Sequence, residues 1–406
     1  MRILFVAMSD SIHTARWISL LHGQNWDLHL FPSLDVGRIH PDLMGVTVHH
    51  SFFGPRGTAK GTVRTRGVYL PGQQLSRIPR ALLRKFMPDY RQQQLRRLIG
   101  RLKPDVVHSM ELQSAGYLTL GAKHALEGRF PTWIVTNWGS DIYLFGRLPV
   151  HRERLKQVLA ECDFYSCECR RDVDLARRLE LKGEVLPVLP NSGGFDIGAS
   201  AALREVELPS SRKLIMLKGY QGWAGRALVG LRALKRCADL LQGYTVVIYS
   251  ATDDVRLAAE LFEADTGIST CVLPQGTPHR DVLAHHARAR VSIGLSISDA
   301  ISTSFLEAMV MGSLPIQSTT GCADEWAEDG KGALFVPAED PEAVEAALRR
   351  ALSDDDLVNA AAASNWETAR RRLDIRLIQP QVVDLYRRVA SRERPRTDAS
   401  PCRGGS

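Results

Sequence analysis

The chain has no CxxC pair, no GxxxxGK[ST] loop, no GxSxG elbow and no internal repeat of short period. With these go the P-loop NTPases, the α/β-hydrolases and the repeat architectures. No run approaches the roughly 20 apolar residues that a membrane-spanning helix needs. The opening MRILFVAMSDSIHT carries one Arg and a short apolar run before polar residues, which falls short of a secretory signal. A non-exported protein in the cytoplasm is therefore expected. The turn after the first apolar run, AMSDSIHT, contains no glycine. The GxGxxG fingerprint is missing there, and the case for a nicotinamide- or flavin-dependent oxidoreductase goes with it. The seven cysteines, at 162, 167, 169, 237, 271, 322 and 402, are odd in number and show no metal-ligand spacing. Reduced, packed thiols fit best, and the pair Cys167 and Cys169 is expected on one face of a strand.

What is present is an ordinary globular composition: 406 residues, 44% hydrophobic, 7% aromatic and 24% charged. That length suits two or three domains and needs no disulfide or metal to stabilise its core. The net charge of +7 is unevenly spread. Residues 1–196 hold 27 Lys and Arg against 18 Asp and Glu, the remainder 25 against 27. Between Ser51 and Lys103 thirteen basic residues face one acid, Asp89. Such a segment attracts phosphate, whether of nucleic acid, anionic lipid or a phosphorylated saccharide.

Short β-rich runs alternate with helical-period segments along nearly the whole chain. Strands are expected at 2–7, 26–32, 46–52, 105–110, 132–138, 163–168 and 184–189, then at 213–217, 245–250, 270–274, 290–297 and 314–317. Helices fall between them. Alternation of this kind builds parallel sheets covered on both faces, so the fold class is α/β with two doubly wound domains. The segment 191–212, rich in Gly, Ser and Pro, shows no sustained periodicity and reads as the linker. The expected division is 1–196, with a returning helix at about 375–391, and 207–372, followed by a disordered tail at 393–406.

Open parallel sheets bind ligands where strands turn into helices. The richest such turn is SISDAISTSFLEAM. Asp299 leaves the strand, Ser302, Thr303 and Ser304 open a helix, and Glu307 follows eight residues after Asp299. Free amides and the positive end of that helix suit a pyrophosphate, and flanking carboxylates suit hydroxyls. An N-capped helix with an acid in its first turns would look the same. The turn KGYQGWAGR offers Lys218, Gly219 and Arg226, two cations able to neutralise a departing diphosphate, or merely a solvated Gly-rich loop. In the first half, SDSIHT, HSMELQ and TNWGSD supply Asp10, His13, Glu111, Trp138 and Asp141 as candidates for the facing wall of a cleft. A lone histidine such as His13 or His108 is more often a packed core residue than a catalyst.

SDSIHTARW, TNWGSD, PNSGGFD and DAISTSFLEAMVMGSLPIQST together resemble the GT-B glycosyltransferases, specifically the retaining group called family 4, over about residues 1–390. The family pattern E-x7-E is matched by Asp299-x7-Glu307 with the shorter acid first. The resemblance implies transfer of a sugar from a UDP- or GDP-sugar donor to a glycan or lipid-linked acceptor in cell-surface polysaccharide synthesis, with retention and without a metal or other cofactor. It assigns Asp299 to the transferred sugar, the amides of 302–304, with Gly219, to the donor, Lys218 and Arg226 to the diphosphate, and Glu307 to the ribose. Trp138 stands where many relatives carry His, and Asp141 is the substitute candidate. A catalytically silent nucleotide-sugar-binding protein and a GT-B epimerase are the alternatives. The basic segment is expected to rest on anionic lipid at the inner face of the membrane, since Phe86 and Tyr90 alone offer little base stacking for nucleic acid.

Overall fold

The computed structural model describes residues 1–34, 37–50, 63–67, 82 and 85–391. Two parallel sheets organise it. The first has the order β4-β3-β2-β1-β5-β6-β7-β8, with β1 Arg2–Ala7, β2 Asp27–Pro32, β3 Thr47–His49, β4 Arg64–Arg66, β5 Val106–Met110, β6 Thr132–Thr136, β7 Phe164–Ser166 and β8 Glu184–Val185. The second has the order β11-β10-β9-β12-β13-β14, with β9 Leu214–Lys218, β10 Thr245–Tyr249, β11 Ser269–Val272, β12 Val291–Gly294, β13 Leu314–Ser318 and β14 Leu334–Val336. In each sheet the order reverses beside the first strand, and at such a reversal the connections on either side diverge and leave a crevice at the strand ends.

The central strands are buried because helices cover both faces. β1 is buried from Ile3 to Ala7, and β9 from Leu214 to Leu217. Several strands are shorter than their apolar runs. β6 stops at Thr136: the Asn137 amide makes the last bond to β7, to the Ser166 carbonyl at 2.9 Å, while its side chain donates to Asp172 at 2.7 Å and accepts from the Gly139 amide at 3.1 Å. β7 stops at Ser166, so Cys167 and Cys169 lie beyond it. They face different ways: Cys167 joins the core under β5 and β6, whereas Cys169 packs with Ala300 and Cys322. Two three-residue edge strands, β4 and β14, carry too little pattern to be read from sequence.

The expected linker contains a helix, Ile197–Leu203, whose first turn is capped by Asp196 accepting from the Ala199 amide at 2.9 Å. Its run of Gly, Ala and Ser shows no apolar stripe. Phe195 and Ile197 nevertheless anchor it against Phe305, Leu306 and Leu373. The helix Ile375–Ser391 packs under the first sheet, with Ile378, Val382 and Tyr386 among Ile3, Phe5 and Trp17. There the Tyr386 hydroxyl accepts from Trp17 Nε1 at 2.9 Å and meets His108 Nδ1 at 2.6 Å. The tail 393–406 lies outside the described residues. So does most of the basic stretch before Tyr90, including Arg56, Lys60, Arg77, Arg80 and Arg84.

Candidate active site

The two halves touch along the carboxyl ends of their sheets. A Cβ on Gly139 would come within 2.1 Å of the Ala300 amide, so the turn after β6 lies directly against the turn after β12. Gly139 has φ +78°, a backbone that only glycine adopts at little cost. Ser140 and Ser298 exchange a hydroxyl contact at 2.9 Å across the seam, and Arg171 donates to the carbonyls of Asp299 and Thr320, each at 2.7 Å. The turn that carries Asp299 is thus gripped from the opposite half by its backbone.

Beside this seam lies a cavity of about 180 Å³ lined by His13, Trp138, Glu168, Asn191, Lys218, Asp299, Ile301 and Thr303. Three of these residues carry a buried polar atom without a hydrogen-bond partner: His13 Nδ1, Trp138 Nε1 and Asn191 Oδ1. Leaving such atoms unpaired costs about 1–3 kcal/mol each unless a ligand or water satisfies them. Burial, with Arg16 and Lys218 nearby, lowers His13 to about 4, so it is neutral at physiological pH. Its ring meets Trp138 edge-on at 5.6 Å. Burial also raises Asp299, against the pull of Lys218, and its Oδ1 accepts from the Ala300 amide at 2.9 Å. Lys218 Nζ reaches the Ser302 hydroxyl at 3.4 Å, and Ser302 and Ser304 share a hydroxyl contact at 2.7 Å. The helix Thr303–Met311 makes its first bonds from Phe305 and Leu306 to the Ser302 carbonyl. The Thr303 and Ser304 amides precede those bonds, and they open beside Lys218. A lysine and an open helix end beside a monosaccharide-sized polar cavity suit a sugar attached to phosphate.

Residues 2–165 match the model of the 4-like glycosyl transferases, and residues 224–354 match that of the glycosyl transferases group 1. Together these take in most of both sheets. The chain is a group 1 glycosyltransferase of GT-B fold. No curated protein matches it. Among solved structures, sucrose-phosphate synthase from Thermosynechococcus elongatus is 15% identical with a TM-score of 0.70, over 96% of this chain and 99% of that one. Anabaena HepE, solved with UDP and glucose, is 13% identical with a TM-score of 0.66, over 96% and 100%. A UDP-forming trehalose-phosphate synthase from Burkholderia xenovorans, solved with glucose-6-phosphate, gives the same figures. At such identities these establish the fold.

Not every candidate of this glycosyltransferase gathers at the cavity. Arg226 was expected beside Lys218. Its guanidinium is instead committed to Glu339 at 2.8 Å and to the carbonyls of Gly222 and Gly225, because the loop folds back on its own backbone. Gly219 packs rather than opening toward a ligand: a Cβ there would meet Ile248 Cγ2 at 2.7 Å and Ala251 Cα at 2.8 Å. Glu111 and Asp141 sit behind the wall. Glu111 accepts from the Ser114 and Ala115 amides at 2.8 and 2.5 Å, and Asp141 from Trp138 and Leu112 at 2.9 and 3.1 Å. Burial and Asp141 raise Glu111 to about 8, and burial raises Asp141 to about 6. They brace the turns that carry Trp138 and the chain after β5. Asp10 is exposed in the first turn, outside the cavity. His108 is a packed core residue between Tyr386 and Thr136.

Glu307 is buried, and its Oε1 bonds His279 Nε2 at 2.7 Å, with His286 Nε2 3.9 Å from Oε2. Burial works to raise its carboxyl, but His279, His286 and Arg16 outweigh it and leave it below the usual range. His279 also lines a larger cavity of about 660 Å³ with Arg16, Arg280 and residues 192–196 of the segment that joins the two sheets. Glu168 was missed by sequence reasoning. It lies in the segment read for its cysteines, accepts from the Asn191 amide at 2.6 Å and from that of Ile301, and is pushed well above the usual carboxylate range by burial. A glutamate at the end of an otherwise apolar run was the available signal.

Proposed function

We propose that this glycosyltransferase moves a sugar from a nucleotide diphosphosugar to a glycan or lipid-linked acceptor, with retention at the anomeric carbon and without a metal, in cell-surface polysaccharide synthesis. The observation that carries the reading is the cavity that joins Lys218 and the open helix end at Thr303 to Asp299 and three unpaired polar atoms. UDP is the preferred nucleotide, since HepE was solved with UDP and glucose and the trehalose-phosphate synthase is UDP-forming.

In this reading the sugar fills the cavity of about 180 Å³, with its hydroxyls on Asp299, Asn191, Trp138 and His13. The β-phosphate faces Lys218 and the Thr303 and Ser304 amides. Charge grows on that phosphate as the glycosidic bond breaks, so donors aimed there favour the transition state over the ground state. Arg226 does not share this duty while it is paired with Glu339, which leaves Lys218 and the helix end to carry it. The acceptor hydroxyl enters from the side of the first sheet and passes its proton to the departing phosphate oxygen. The larger cavity, lined by His279, takes the nucleoside, and Glu307, held by His279, binds the ribose through the oxygen that His279 leaves free. Closing the halves at the hinge excludes water from the bond being broken.

A lipid-linked acceptor draws support from the basic rim of the first half. Arg66, Arg97 and Arg101 line a recess of about 330 Å³ with His49 and His50. Among the described residues no helix is long and apolar enough to cross a membrane. Attachment would then be peripheral, at about 1 kcal/mol per basic residue near an anionic surface. A thermal-shift screen of the purified protein against UDP-, GDP-, ADP- and dTDP-sugars tests the donor reading. A UDP-sugar is expected to raise Tm most, and no response to any nucleotide sugar would reject it.

A further inference from the structure

We propose that Cys169 and Cys322 are a covalent modification site: on oxidation they join in a disulfide that locks the two halves of the enzyme together. Cys169 lies between β7 and the helix Arg170–Arg178, in the first half. Cys322 lies after β13, in the second. They are 153 residues apart, yet their sulfurs stand 2.6 Å from one another with nothing between them. Both are buried, and with Ala300 they form an apolar cluster of their own in the seam.

The pair is held from both sides. The Cys322 amide donates to the Ala300 carbonyl at 2.7 Å, which ties it to the turn that carries Asp299. The Arg170 amide donates to Glu325 Oε1 at 2.8 Å, and Arg171 spans the same seam. A bond between the sulfurs would therefore fasten the donor turn to the first half beside the cavity. The alternative is a metal ion, for with Glu325 the ligating atoms fall within 4.8 Å of one another. Two thiolates on one tetrahedral ion, each about 2.3 Å from it, would sit about 3.8 Å apart. The observed sulfurs are closer than that, and one oxygen of Glu325 is already engaged by Arg170.

The oxidant is a peroxide. Hydrogen peroxide converts one thiol to a sulfenic acid and releases water. The second thiol then attacks that sulfur and expels a second water. The two sulfurs together lose the two electrons that the peroxide oxygens gain. In the closed enzyme the contact with Cys322 and burial push the Cys169 thiol far up, so it stays protonated and unreactive. The first step belongs to the open enzyme, the second to closure.

The experiment needs no donor, so its failure is distinct from failure of the transfer reading. The full-length protein is treated with hydrogen peroxide, alkylated and digested without reductant. A peptide linking Cys169 to Cys322 is expected, sensitive to dithiothreitol, and five of the seven thiols should remain titratable after denaturation. Cys169→Ser and Cys322→Ser should each abolish the link, while Cys167→Ala should retain it. Exchange of the hinge amides 191–196 should slow at least tenfold in the linked protein. A Cys167 to Cys169 link, seven titratable thiols, or zinc that copurifies with the wild type but not with Cys322→Ser would each overturn the proposal. Unchanged hinge exchange in a linked protein would overturn the lock.

Discussion

In the proposed reading Asp299, Lys218 and Glu307 do different work on one donor, and single substitutions separate them. Lys218→Ala should lower turnover far more than donor affinity, because the charge it meets grows in the transition state. Steady-state kinetics with the donor found by thermal shift checks this, and an intact kcat with raised KM would remove Lys218 from the leaving group. Asp299→Asn should leave free UDP binding nearly unchanged while impairing transfer; isothermal titration beside a transfer assay tests the split. Glu307→Ala should weaken UDP binding by about 1.5–3 kcal/mol by removing a charged acceptor. His279→Ala is the informative partner. If His279 only holds Glu307, its loss should weaken UDP less than Glu307→Ala does.

At the scale of elements, the turn after β6 meets the turn after β12 with no space for a side chain. Gly139→Ala should therefore destabilise by about 1–3 kcal/mol, since its φ is left-handed and its Cβ would strike backbone rather than a yielding side chain. Urea unfolding of the variant gives the number, and a change under 0.5 kcal/mol would mean that the seam yields. Sequence reading placed most of these elements because the buried strands are continuous β-rich runs. It missed β4 and β14, each three residues at a sheet edge, and the helix Ile197–Leu203, whose small residues make no stripe. It overextended β6, because the Asn137 side chain bonds Gly139 just ahead and Asp172, 35 residues on, and so fixes a turn there.

For the whole molecule, buried titratable groups shape stability against pH. His13 and His286 are lowered to about 4, and His49 and His108 to about 3, all chiefly by burial. Between those values and the ordinary 6.5 the unfolded chain binds more protons, so stability should rise with pH up to about 6.5. Glu111 and Asp141 act in reverse: raised to about 8 and about 6, they keep protons that the unfolded chain has lost, and stability falls as pH rises through those values. Tm should therefore peak near pH 6.5, and Glu111→Gln should flatten the decline toward pH 8. Calorimetry across pH 4–9 checks both limbs. A peak displaced above pH 8 would mean that Glu111 is ionised in the folded state.

The sequence by itself determined the α/β class, the two sheets and the turn with its paired carboxylates, because strand burial, helix starts and the spacing of Asp299 and Glu307 are local properties of the chain. Tertiary structure decided which polar groups face the cavity. Whether Arg226 reaches a phosphate or Glu339, and whether Glu111 and Asp141 face a cleft or brace a turn, depends on which buried donors and acceptors lie within reach. Glu168 and the meeting of Cys169 with Cys322 were hidden for the same reason. Their partners, Asn191 and Ile301 for the one and a sulfur 153 residues away for the other, become neighbours only when the chain folds and its two halves meet at the carboxyl ends of their sheets.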